Sequence, residues 1–244
     1  MVDSFTSPER IPLLILLAGW ALLLFGGFIF GKRSEDGKRR MPVWTRMASS
    51  LVLVIAAWYW NRLASDTDAS WFALPVAIGM TFGLIGDLFM AKLIIKSEKH
   101  ILGGIGSFGL GHIAYIAGFI GFGDWIGASN GRSVAWIVWL IIGAVGWYLA
   151  VYRGQTKRGV LHYAALPYAL LLASSTGFAT GLALNVSLFI PLAIGCALFL
   201  LSDLILAAEL FAGLSFPLIG DVVWLTYGPA QMLIVYSIGA ALKA

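Results

Sequence analysis

The sequence predicts an all-α fold: a polytopic transmembrane helix bundle of about eight spans, forming a single domain over residues 1–244. Three observations predict it. The chain is 60% hydrophobic and only 11% charged, whereas a soluble domain carries about a quarter charged residues. Its mean hydropathy is +0.90. Apolar stretches long enough to cross a bilayer, about 20 residues each, follow one another with only short polar gaps.

The spans read as 11 to 31, 44 to 61, 70 to 95, 101 to 122, 134 to 152, 161 to 184, 186 to 210 and 219 to 241. The first runs apolar from Ile11 to Phe30 and is preceded by no basic segment beyond Arg10, so it reads as a retained helix rather than a signal core. Between the first and second lies the longest hydrophilic stretch, Gly31 to Arg40, which reads as a mobile basic loop at the lipid headgroups. The third and fourth carry Gly79, Gly83 and Gly86, and Gly103, Gly104, Gly106, Gly109 and Gly111. Runs of missing side chains let two helices approach closely, so these two should pack tightly. The sixth and seventh are separated by little more than Leu184-Asn185-Val186-Ser187. The seventh holds Cys196, the single cysteine, which rules out an intrachain disulfide and reads as a packing residue. Trp44, Trp58, Trp60, Trp71, Trp125 and Trp136 fall near span ends, where an amphipathic ring suits the membrane interface.

The net charge of +4 reports topology rather than nucleic-acid binding. Twelve basic residues sit at alternate connections: Lys32, Arg33, Lys38, Arg39, Arg40 and Arg46, then Lys92, Lys96 and Lys99, then Arg153, Lys157 and Arg158. Arg10, Arg62, Arg132 and Lys243 remain on the opposite side. The positive-inside bias therefore predicts that both termini are non-cytoplasmic, as an even number of spans requires.

An ionisable group in hydrocarbon costs at least about 2.5 kcal/mol, so each needs a partner or a function. The candidates are Asp87 on the third span, His112 and Tyr115 on the fourth, Ser202 and Asp203 on the seventh, and Asp221, Tyr227 and Gln231 on the eighth. Asp87 lies about 7.5 Å from the end of its span, and Asp203 about 9 Å from Glu209, at 1.5 Å of rise per residue. Both carboxyls thus fall at similar depth on the cytoplasmic side, where one cavity can hold them. His112 with Tyr115, and Tyr227 with Gln231, are spaced to share a helix face, and Phe108 falls on the face of His112. Bland readings stand beside these. A buried aspartate can clamp two helices, a lone histidine can bridge them, and Asp221 can favour its own helix N-terminus. Glu209 reads as an interfacial charge.

At these residues the sequence resembles the YhhN-like lysoplasmalogenase family of eight-helix membrane proteins. The resemblance rests on Gly86-Asp87, on Phe108 with Gly111-His112 and Tyr115, on Phe199 with Ser202-Asp203, and on Tyr227 with Ala230-Gln231. It covers most of the chain outside the first two spans. It implies hydrolysis of the vinyl ether bond of a lysoplasmalogen, with a lysophospholipid substrate drawn from the surrounding membrane lipids and no cofactor. Protonating a vinyl ether carbon gives an oxocarbenium ion that water captures, so the chemistry needs a proton donor and an anion, as in glycosidases. Two aspartates buried near each other can hold one proton between them. Asp87 and Asp203 are the expected catalytic pair, with the roles of acid and base open. His112, Tyr115, Ser202, Tyr227 and Gln231 are expected to bind substrate or support the pair.

Other classes use the same residues differently. A proton-coupled transporter or channel would run a relay through Asp87, His112 and Asp203. A zinc hydrolase would take those three as ligands, but His100 and His162 lie near span ends, leaving one deep histidine, and no metal is expected. A serine hydrolase is disfavoured because Ser202 lacks a G-x-S-x-G setting.

Overall fold

The computed structural model describes residues 7–97, 99–153 and 159–244. Eight long helices run through it: α1 (Ser7–Phe30), α2 (Val43–Ala64), α3 (Ser70–Met90), α4 (His100–Trp125), α5 (Arg132–Trp147), α6 (Val160–Asn185), α7 (Ile190–Ala212) and α8 (Ile219–Tyr236), with a last short turn α9 (Ile238–Ala241). No strand occurs among the described residues. Seven of the eight are long and apolar enough to cross a membrane. The exception is α2, long enough at 22 residues but with a polar inner face, since Thr45, Arg46, Ser49 and Ser50 are all buried.

Helices α2, α3, α4, α6, α7 and α8 form a closed ring in that order, with α8 returning to α2; α1 packs outside α2, and α5 outside α6. The ring centre is filled by aromatic and small side chains, among them Phe72, Phe119, Phe122 and Phe189. Glycines set the closeness of α3 and α4. A Cβ on Gly111 would stand 2.9 Å from the Gly79 carbonyl oxygen, the Tyr115 ring lies against Gly79, and the Phe108 ring lies against Gly86. In a bilayer no water drives helices together, so such van der Waals contact supplies much of their association. Cys196 is free and buried in this packing.

Several element ends differ from the sequence reading for local reasons. The third helix stops at Met90 rather than near residue 95. The Ala91 N–H still bonds the Asp87 carbonyl, and Lys92 adopts a left-handed conformation with φ 59°, which turns the chain out of the helix. The fifth span does reach Tyr152, but its last turn, Tyr148–Tyr152, is a π-helix. Helices α6 and α7 are separate: Asn185 ends α6 with its side-chain amide donating to Asn130 O at 2.9 Å and Gly181 O at 2.8 Å. A 3-10 turn, Ser187–Phe189, follows, and Pro191 sits in the first turn of α7, where its missing N–H costs nothing.

The loop after α1 corrects the expectation of a mobile segment. Its backbone carbonyls at Gly37 and Lys38 accept from Leu218 and Gly220 N–H at 3.1 and 3.0 Å. Asp221 accepts from Arg40 N–H at 2.5 Å and Met41 N–H at 3.0 Å, and Lys38 pairs with Glu209 at 2.8 Å. That bond is the main reason the Lys38 ammonium titrates above its ordinary value. Within the loop, Asp36 accepts from Ser34 and from Lys38 N–H, bonds that hold its carboxyl below the usual aspartate range. The loop is thus a strap fastened across the ends of α7 and α8. Lys157 and Arg158, which entered the topology count, lie outside the described residues.

Candidate functional site in the helix ring

The candidate residues collect inside the ring toward the end where α3 and α7 finish. Asp87 sits in the last turn of α3, 3% exposed. Its Oδ2 accepts from Ser50 on α2 at 2.5 Å and from the Tyr227 hydroxyl on α8 at 3.1 Å. Tyr227 in turn accepts from Gln231 Nε2 at 3.1 Å, and Gln231 Oε1 accepts from the Tyr115 hydroxyl at 2.9 Å. A continuous line of hydrogen bonds therefore runs from α4 through α8 to Asp87, and every member is buried. Backbone approach permits it: a Cβ on Gly83 would lie 2.7 Å from Gln231 Nε2.

Asp203 has a different setting. It is only partly buried and lines an open cleft between α4, α6, α7 and the π turn, about 660 Å³ with the open solvent at its mouth counted. The other walls are apolar except for Tyr168 and Trp147, and include Met90, Phe108, Leu172 and Leu204. The Tyr168 hydroxyl donates to Asp203 Oδ2 in a short hydrogen bond. Ser202 Oγ lies 3.3 Å from Oδ1 while its hydroxyl reaches the Phe199 carbonyl at 2.8 Å.

The two aspartates share no hydrogen-bond partner among the described residues. Between their settings stands an aromatic cluster: Phe108 packs edge-on against Phe199 and Tyr227 with ring centroids 6.1 and 6.0 Å apart, and Phe199 meets Tyr227 at 5.1 Å. Phe108 touches both sides, since it lines the cavity and presses on Gly86 beside Asp87.

His112 belongs to this cluster, its ring 4.5 Å from that of Phe199, 5.6 Å from Tyr115 and 6.4 Å from Tyr168. Nδ1 lies 2.8 Å from Ser175 Oγ. The Ser175 hydroxyl also reaches Leu171 O at 3.1 Å; with its proton there, Nδ1 carries the ring proton and Nε2 is the acceptor. Nε2 is buried with no protein partner among the described residues. Ser175 is fully buried and contacts both Leu171 O and the imidazole, so it anchors the ring. Among the described residues no three His, Cys, Asp or Glu side chains come together as metal ligands.

Five named candidates, Asp87, Tyr115, Tyr227, Gln231 and, across the aromatic cluster, His112, thus meet around one core, while Asp203 and Ser202 face the cavity beside it. Asp221 is elsewhere, fastening the strap. Sequence reasoning missed Ser50, Tyr168 and Ser175. Ser50 stood in a helix that looked generic, although Ser49 and Ser50, three and four residues after Arg46, make a polar face in an otherwise apolar span. Tyr168 follows Pro167 near the start of α6 and gave no periodic signal.

A ring of helices, seven of the eight long helices being long and apolar enough to cross a membrane, with Asp87 buried inside it, is consistent with an integral membrane protein that carries polar groups within its bundle. The chain belongs to the YhhN family, whose model matches residues 41–238. Comparison with curated proteins and with solved structures finds no match. The matched span begins at Met41, just before α2, and leaves out α1, which packs outside the ring.

Proposed function

We propose that this chain is a multi-pass membrane hydrolase that cleaves the vinyl ether bond of lysoplasmalogens, releasing a fatty aldehyde and a glycerophospho-base. The observation that carries the reading is Asp203, a carboxyl with a tyrosine partner set into the wall of a cavity that is otherwise almost wholly apolar. Such a cavity suits a fatty chain, and a carboxyl in its wall suits an acid that protonates carbon. Membership of the YhhN family adds to this.

The geometry supports one division of the roles left open by the sequence. Asp203 is the carboxyl that faces the apolar cavity, so it is the one that a chain-bearing vinyl ether meets, and its Oδ1 accepts only a long 3.3 Å contact from the Ser202 hydroxyl, which lies closer to Phe199 O at 2.8 Å. Asp203 is then the acid, giving its proton to the vinyl ether carbon remote from oxygen. Asp87 accepts two hydrogen bonds on Oδ2 and is the carboxylate that steadies the oxocarbenium ion. Water held at the free Nε2 of His112 adds to the cationic carbon, and its proton returns to Asp203. The hemiacetal collapses to aldehyde and alcohol. The substrate enters from the surrounding lipid, with its head toward the cytoplasmic end that the positive-inside bias assigns to the strap.

The test is aldehyde release from a defined lysoplasmalogen by the purified protein in detergent, with Asp87→Asn and Asp203→Asn shown to be folded by monodisperse elution. Loss of release in both variants supports the two-carboxyl chemistry. No release by folded wild type across ethanolamine and choline head groups overturns the reading, and proton-coupled transport becomes the leading account of the same carboxyls.

A further inference from the structure

Arg46 begins as a basic residue in the topology count and ends inside the protein. It lies in the first turn of α2, 5% exposed, with its guanidinium 5.3 Å over the Trp224 ring of α8. Its Nε is buried with no hydrogen-bond partner among the described residues, and the Asp87 and Asp221 carboxylates, though within electrostatic reach, form no ion pair with it. Asp221 spends both oxygens on the strap backbone, and Asp87 Oδ2 is held by Ser50 and Tyr227. The ion pairs among the described residues are Lys38–Glu209 and Arg132–Asp124, and Arg46 is in neither.

A buried guanidinium without a bonded anion costs several kcal/mol, and its planar donors match the oxygens of a phosphate. The adjacent N-terminus of α8 does not compete for that anion, because its N–H groups at Ile219, Gly220, Asp221 and Val222 are all satisfied. Arg39, exposed on the strap, packs its side chain on Gly220 and adds a second cation within electrostatic reach of Arg46.

We propose that Arg46, with Arg39 at its mouth, is the subsite for the phosphate of a lysophospholipid; this rests on the hydrolase reading above. Spacing along α2 fits. Arg46 precedes Ser50, the partner of Asp87, by one helical turn, about 6 Å of rise. The glycerol unit between a vinyl ether and its phosphate reaches about 7 Å at single-bond lengths near 1.5 Å. With its chain in the Asp203 cavity and its ether beside Phe108, which touches both the cavity and the Asp87 side, the substrate brings its phosphate toward the guanidinium.

Two measurements on the full chain in detergent test this. The first compares cleavage of a lysoplasmalogen with cleavage of the phosphate-free 1-alkenylglycerol by wild type, Arg46→Gln and Arg46→Lys. In Arg46→Gln the ratio of kcat/KM for the first over the second falls at least tenfold, carried by KM, and Arg46→Lys lies between. A ratio that stays within twofold overturns the proposal. The second measures thermal stabilisation of the protein by ester-linked lysophosphatidylethanolamine, by monoacylglycerol and by inorganic phosphate, and needs no turnover. Stabilisation by the lysophospholipid exceeds that by monoacylglycerol in wild type, and the excess is lost in Arg46→Gln. Equal stabilisation by both lipids overturns the subsite. Stabilisation by inorganic phosphate alone, also lost in Arg46→Gln, upholds the phosphate site and assigns it to the free anion rather than the lipid head. If wild type cleaves neither ether, the hydrolase reading fails while the binding measurement still decides Arg46.

Discussion

The Ser50 hydroxyl on α2 donates to Asp87 Oδ2 on α3 at 2.5 Å, in a site where both residues are buried. One polar contact thereby ties the least apolar helix of the bundle to the carboxyl that the proposed chemistry requires as an anion. A hydrogen bond to a charged group contributes about 1.5 to 3 kcal/mol. Ser50→Ala is therefore expected to lower kcat for aldehyde release by about tenfold or more with KM little changed. An unchanged kcat would show that Asp87 does not act as the anion of the pair.

Among the described residues Tyr168 is the one that both lines the cavity and bonds a candidate aspartate. In Tyr168→Phe the ring still fills its place, so the fold should hold. Loss of one donor at Asp203 is expected to cut kcat by about tenfold and to move the pH profile of kcat, which is the readout that separates it from a packing defect. A fall in activity with an unmoved profile would assign Tyr168 to packing alone.

Gly86 keeps the Phe108 ring between the two carboxyls, since a Cβ there would stand 2.7 Å from ring atoms. Gly86→Ala should displace Phe108 into the cavity it lines and reduce substrate cleavage by about an order of magnitude, with a stability cost of about 1 to 3 kcal/mol for overpacking. Gly106 on the same neighbouring helix meets nothing within 4 Å of an added Cβ. Gly106→Ala is the matched control and should be neutral or stabilising by up to about 1 kcal/mol. Equal effects of the two changes, read by activity and thermal unfolding in detergent, would remove Phe108 from the site.

Asp221 is 1% exposed and accepts from the backbone N–H groups of Arg40 and Met41. Asp221→Ala leaves both donors without their acceptor, at about 1 to 3 kcal/mol for a buried group left unsatisfied. The strap should then open to limited proteolysis between Lys32 and Arg40, and the unfolding temperature should fall. Proteolysis no faster than wild type would mean that the Leu218 and Gly220 contacts hold the strap without Asp221.

Much of the fold was legible because hydrocarbon imposes its own periodicity. Length and apolarity marked the spans, and the glycines of the third and fourth spans announced the contact that Gly79 and Gly111 make. The weak break at Asn185 is a true boundary because the Asn185 amide caps the end of α6 and Pro191 opens α7. The site was legible to the extent that burying a polar group in an apolar helix is costly, which singled out Asp87, His112, Tyr115, Asp203, Tyr227 and Gln231. Cost alone does not name partners. Ser50 and Ser175 are small hydroxyls that satisfy a helix carbonyl or a neighbour equally well, so nothing in their spacing distinguishes the two uses.

By itself the sequence determined the class of fold, the approximate spans and the polar groups that demand explanation, because each of these follows from local composition along one helix. The tertiary structure alone decided that Asp87 is bonded from α2 and α8 while Asp203 faces a cavity, that Phe108 stands between them, that the basic loop is a fastened strap, and that Arg46 points inward. Those relations depend on which helix closes the ring against which, and residues as far apart as Arg46 and Trp224 meet only when α8 returns to α2.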